Sequence, residues 1–163
     1  MSVIINATPL IALAVVEQLE LLPQIFGEII VPTTVYNEVI GQGLERPGAQ
    51  IIAQTDWLQI VSPKTTSSVE PMLLGLDQGE MDVLLLARER QPEWVIIDER
   101  QARRVARAMG IPVKGTVGVL LTAGLAGLRS KEEVLSYATT MVKAGLRISP
   151  QLQEWLKQEL ENG

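Results

Sequence analysis

The sequence contains no cysteine and no histidine. Without cysteine there is no disulfide, thiolate metal ligand or thiol nucleophile; without histidine there is no imidazole ligand and no histidine base. Any catalysis must therefore run on carboxylates, hydroxyls, lysine or arginine, with a hard metal ion as the remaining option. Aromatic residues make up only 4% of the chain. Trp57, Trp94 and Trp155 are scattered rather than interleaved with basic residues, so the sequence does not suggest a stacking platform for bases. No apolar run is long enough to span a bilayer, and the start shows neither a basic segment nor a signal-cleavage site. The expectation is a cytoplasmic protein without membrane contact.

What is present suits one domain, residues 1–163, with a sizeable core: 47% of the residues are hydrophobic, most of them Leu, Ile, Val and Ala. The net charge of -5 argues at first against a polyanionic partner. Its distribution argues otherwise. Residues 1–81 hold two basic and nine acidic groups, whereas residues 82–163 hold twelve basic and ten acidic ones. Between 100 and 131 stand Arg100, Arg103, Arg104, Arg107, Lys114, Arg129 and Lys131, with no acid among them. Local charge, more than the total, decides where an anion is attracted.

Short β-branched runs predict strands at Val3–Ile5, Glu28–Val31, Trp57–Val61, Trp94–Ile97 and about Ile111–Lys114. Helix starts lie between them. Thr8-Pro9 reads as a cap before a first-turn proline, and Pro32-Thr33-Thr34 introduces Val35–Ile40. Asp77 to Glu80 and Ser130 to Glu133 read as capping boxes; Arg46-Pro47-Gly48 opens a short helix, and Ser149-Pro150 opens a final amphipathic one. Ser62–Glu70 reads as a polar loop. Alternation of this kind predicts an α/β fold with a mainly parallel sheet covered by helices on both faces.

Sites in such sheets gather at the carboxyl ends of strands. That rule singles out Asn6, after the first strand, and Asp98, after Trp94–Ile97. Each also has a local reading: Asn6 as a turn residue, Asp98 as the cap of the helix beginning near Glu99. Asp82 lies in a helix that is apolar on every side, where an ionised carboxylate is costly unless paired, hydrogen-bonded or bound to a cation. Glu80 is about 200° away around that helix and fits the capping box, so Asp82 is assigned to chemistry and Glu80 to capping. Glu38 is either a solvated acid or a fourth ligand. A site of carboxylates and water suits Mg²⁺ or Mn²⁺ and needs no histidine. Arg100, Arg103, Arg104 and Arg107 fall within about a 100° arc, either a solvated helix face or a row of phosphate contacts. Gly115-Thr116-Val117-Gly118 lacks the lysine of a phosphate loop and reads as a turn with Thr116 capping the next helix.

In order, these segments resemble the PIN-domain nucleases, and within them the prokaryotic VapC-like toxin branch. The resemblance is carried by Ile5-Asn6-Ala7-Thr8-Pro9-Leu10, Val31 to Val39, Gly79-Glu80-Met81-Asp82-Val83, Ile97 to Arg103 and Gly115 to Gly118. Gly145-Leu146-Arg147-Ile148-Ser149-Pro150 is similar to a little-characterised subgroup of that branch. The resemblance implies a three-layer α/β/α sandwich and an acidic pocket that binds Mg²⁺ or Mn²⁺ and cuts RNA. The four family acids fall on Asn6, Glu38, Asp82 and Asp98, Thr8 matches the hydroxyl residue after the first, and Thr116 resembles the one after the fourth. The family's first acid is an aspartate, so Asn6 removes one formal charge and should weaken ion binding and water activation. Two expectations result: a metal-dependent endoribonuclease of toxin–antitoxin type, or a catalytically lapsed module that binds RNA or a protein. An antitoxin protein and a homodimer are partners by analogy. A small phosphate-binding regulator is a third class, disfavoured by the missing phosphate loop.

Overall fold

A computed structural model describes residues 1–64, 73 and 75–163. Five strands form one sheet in the order β3-β2-β1-β4-β5, every neighbouring pair parallel. They are β1 (Ser2–Ile5), β2 (Glu28–Pro32), β3 (Gln59–Val61), β4 (Trp94–Ile96) and β5 (Val113–Lys114). The helices are α1 (Ala7–Val15), α2 (Leu21–Phe26), α3 (Thr33–Gly41), α4 (Ala49–Ala53), α5 (Gln78–Arg90), α6 (Arg100–Ala108), α7 (Thr116–Leu125), α8 (Lys131–Lys143) and α9 (Pro150–Asn162). The sheet is wholly parallel and flanked by helices, as the alternation of patterns predicts.

Its centre forms where the sequence is most β-branched. Val3, Ile4 and Ile5 of β1 lie beside Ile29 to Val31 of β2 and Val95 and Ile96 of β4, all buried. Burying each such side chain contributes about 1.5–3 kcal/mol. The edge strands are shorter than predicted, because β3 and β5 pair on one side only. Ile97 falls outside β4, yet its N–H still donates to the Lys114 carbonyl at 3.0 Å and carries the ladder one bond further.

Both capping boxes are present: the Asp77 and Ser130 side chains each accept from the backbone N–H three residues on, and their own backbone N–H groups donate in return to the Glu80 and Glu133 side chains. The first helix begins two residues earlier than its Thr8-Pro9 signal. Asn6 occupies the cap position and Thr8 lies inside α1, since a first-turn proline costs no intrahelical bond. Helix α2 has no counterpart in the sequence reading; six residues with Pro23 among them are too few to display a period. Of the loop expected at Ser62–Glu70, residues 65–70 lie outside the described residues.

Helix α5 packs against β1, β2 and β4, while α7 packs against α8 and α9. The last contact is close because residue 124 is glycine: a Cβ there would stand 2.5 Å from Leu160 Cδ2. No helix among the described residues is long and apolar enough to cross a membrane.

Candidate active site at the carboxyl edge of the sheet

From β1 the chain steps outward to β2 and β3, then returns to the other side of β1 for β4 and β5. The order therefore reverses between β1 and β4, where parallel sheets open a crevice beyond their carboxyl ends. Asn6 and Asp98 follow those two strands. The Asn6 N–H donates to the Ile96 carbonyl at 2.9 Å, which fixes both residues on the same edge.

Asp98 does not cap α6; Glu99 takes that position. Its carboxylate turns instead to Thr116 in the first turn of α7, accepting from the backbone N–H at 2.8 Å and from the hydroxyl at 2.6 Å. Thr116 is correspondingly not a cap. Gly115 precedes α7 without a side chain to offer, and Asp98 supplies the carboxylate that a cap would. A Cβ on Gly115 would lie 2.9 Å from Asp98 Oδ1 and 2.7 Å from Arg103 Nη1, so the missing side chain leaves room for both groups.

Arg103 behaves differently from the rest of the basic stripe. Arg100, Arg104 and Arg107 are exposed, whereas Arg103 is half-buried and donates to the Ile97 carbonyl at 3.0 Å. Burial, with help from the Arg107 charge, lowers its pKa, and Asp98 opposes that shift.

Asp82 is buried at 4% exposure. Its carboxylate accepts from Thr34 Oγ1 and Gln78 Nε2, both at 2.8 Å, so hydrogen bonds offset the cost of its burial in α5. Glu38, one turn after Thr34 in α3, is exposed and reaches toward α5: a Cβ on Gly79 would lie 3.3 Å from its Oε2. Partial desolvation raises the Glu38 pKa, and the Asp77 charge adds to the rise.

Cavities open at this edge. One, of about 100 Å³, is bordered by Thr8, Asp98, Thr116, Leu146 and Arg147. Another, of about 190 Å³, is bordered by Ala7, Glu38, Val39, Arg46 and Leu146. Leu146 is common to both. Thr8, Asp98 and Thr116 are thus brought together, Asn6 sits at the strand tip beside them, and Glu38 borders the adjoining space. Asp82 borders neither cavity and faces Thr34 and Gln78. Among the described residues, no three acidic side chains stand close enough to enclose a metal ion.

Two further residues near this edge were not singled out for it by the sequence. Glu80 closes its capping box, accepting from the Asp77 N–H at 3.0 Å, but it is also buried. Desolvation raises its pKa against the Asp77 hydrogen bond, and the charges of Asp77, Glu99 and Glu38 push the same way. It therefore stands within electrostatic reach of Glu38 and Glu99, and its burial is a feature that capping alone leaves unexplained. Arg147 lines the cavity that Asp98 shares with Thr8 and Thr116, one that Arg103 does not border. It arrives from the turn between α8 and α9, and only the Gly145–Pro150 resemblance drew attention to that segment.

Comparison with curated proteins and with solved structures returned no match. A protein-family model described as a PIN domain matches residues 2–162, nearly the whole chain. With a parallel sheet in this strand order and an acid at its switch point, the chain belongs to the PIN-domain family.

Proposed function

We propose that this chain is a metal-dependent endoribonuclease of the PIN type, acting as the toxin of a toxin–antitoxin pair. The observation that carries the reading is Asp98, held by Thr116 at the switch point with Arg103 and Arg147 beside it. Arginines beside a carboxylate suit a phosphodiester whose backbone must be held while one bond is cut.

The donor set agrees in kind with Mg²⁺ or Mn²⁺. Every candidate ligand is an oxygen, and the hydroxyl and amide contacts to Asp82 and Asp98 are the outer partners that orient ligating carboxylates. A hydrogen-bonded carboxylate oxygen keeps a further lone pair for an ion. Asp98, Glu38 and Asp82 are the acids proposed to hold it, and Asn6 offers one neutral oxygen. When bound, such an ion supplies water activation and stabilisation of the leaving oxygen. Thr8 and Thr116 present hydroxyls to the cavity beside Asp98, where they can orient water or phosphate. Arg100, Arg104 and Arg107 continue the positive face outward for RNA.

Asn6 favours a second reading, a lapsed nuclease that binds RNA or a protein without cutting. It is buried at 6% exposure at the position where the family places its first acid, so one charge is missing from the pocket. Incubating single-stranded RNA with Mn²⁺ and the native chain, Asn6→Asp or Asp98→Asn separates the two. Cleavage by the native chain that disappears in Asp98→Asn supports the enzyme. Cleavage by Asn6→Asp alone supports the lapsed nuclease.

A further inference from the structure

Helix α9 buries Leu156 and Leu160 but leaves Leu152 and Trp155 exposed, at 39% and 41%. A large aromatic ring left in water on a helix with its own buried face is an observation that packing does not explain. Trp155 is not isolated. It lines a groove of about 550 Å³ together with Gly115, Val117 and Gly118 at the start of α7 and with Arg103 and Asp98. That volume lies within the roughly 300–1,000 Å³ typical of small-ligand sites. Gly115 and Gly118 add no side chains of their own to it, and the space beside them is taken by Arg103 and Asp98 and by Lys114.

We propose that this groove is a nucleotide subsite, in which one unpaired base of single-stranded RNA stacks on Trp155 while its phosphate meets Arg103. The inference rests on the nucleic-acid reading above and deepens it by naming what holds the strand beside Asp98. Charge selects the occupant. Half-buried Arg103 lines the groove, from the helix whose outer face carries Arg100, Arg104 and Arg107, and an aromatic face beside a guanidinium is the pairing that takes base and phosphate together. Stacking is indifferent to base identity, so the subsite grips any single strand and excludes a duplex, whose bases are not free to leave the stack. The groove is continuous with the carboxylate, because Asp98 borders both it and the cavity of Thr8 and Thr116. A base seated on Trp155 therefore brings a neighbouring phosphodiester toward Asp98.

The test measures binding of a fluorescein-labelled single-stranded RNA octamer in chelator, so that no cutting intervenes, with circular dichroism confirming that each variant is folded. The native chain is expected to bind, Trp155→Ala to lose about tenfold or more in affinity, and Trp155→Phe to keep most of it. In a Trp57→Phe/Trp94→Phe chain, the remaining emission of Trp155 should be quenched as RNA is added. Affinity unchanged in Trp155→Ala, with no quenching, overturns the subsite and leaves the nucleic-acid reading standing. No binding by the native chain overturns both. A change in sedimentation of Trp155→Ala with unchanged RNA affinity overturns the subsite in favour of a protein contact.

Discussion

Both oxygens of the Asp98 carboxylate are held by one residue, Thr116, through its backbone N–H at 2.8 Å and its hydroxyl at 2.6 Å. The pair ties the end of β4 to the start of α7 across the edge where the sheet reverses its order. It fixes the carboxylate's direction, and it gives α7 the N-terminal negative charge that Gly115 cannot supply.

Replacing Thr116 by valine removes the hydroxyl and keeps the shape. A hydrogen bond to a charged group stabilises by about 1.5–3 kcal/mol, so the variant should lose about that much, seen as a lower urea midpoint with an unchanged slope. Thr116→Ser, which retains the donor, should lose less.

Gly115→Ala tests the crowding around the same carboxylate. Its backbone conformation admits alanine, so the penalty is steric, from a Cβ placed 2.7 Å from Arg103 Nη1 and 2.9 Å from Asp98 Oδ1. Thermal melts should show a loss of about 1–3 kcal/mol. RNA cleavage should fall as well, since Arg103 or Asp98 must move.

The raised pKa of Glu80 gives a pH dependence in the metal-free protein. Desolvation comes first among its causes, and Asp77, Glu99 and Glu38 are the acids that face it. A carboxyl that holds its proton more tightly when folded contributes stability fully present below its unfolded pKa, about 4.3, and lost as pH rises through the higher folded value. Glu80→Gln keeps an oxygen for the Asp77 N–H and removes that loss. It should melt higher than the native chain at neutral pH, and the advantage should vanish on acidification below about pH 4.

Asn6→Asp puts a charge into a position with 6% exposure. Without metal, the variant should be less stable than the native chain by about 1–3 kcal/mol at neutral pH, the cost of a buried polar group left incompletely satisfied. Mn²⁺ should restore the melting temperature of the variant more than that of the native chain, because an ion that binds only the folded state stabilises by mass action.

Much of the fold was legible because it is local. The runs of β1, β2 and β4, the boxes at Asp77 and Ser130 and the proline that opens α9 each declare themselves within a few residues. The site was legible only in outline. Asp98 and Thr116 were both singled out for the site, but their partnership spans 18 residues and runs from the end of β4 past α6 and β5 to the start of α7, so the local capping read for Thr116, and offered as the alternative for Asp98, is not what the fold shows. Arg103 shares an arc with three exposed arginines and differs from them through a carbonyl, that of Ile97, which only the fold brings within reach. Arg147 and Trp155 come from the last two helices and their turn, where no spacing rule relates them to an acid some fifty residues earlier.

The most direct measurement is the initial rate of Mn²⁺-dependent cleavage of single-stranded RNA by the native chain and by Asp98→Asn. Loss of an outer-shell partner typically costs about 10–100-fold, so loss of the ligand acid itself should reduce the rate by more than about 100-fold while leaving the fold intact. Equal rates in the two chains would contradict the assignment of Asp98 to the chemistry, and with it the active site drawn around the switch point.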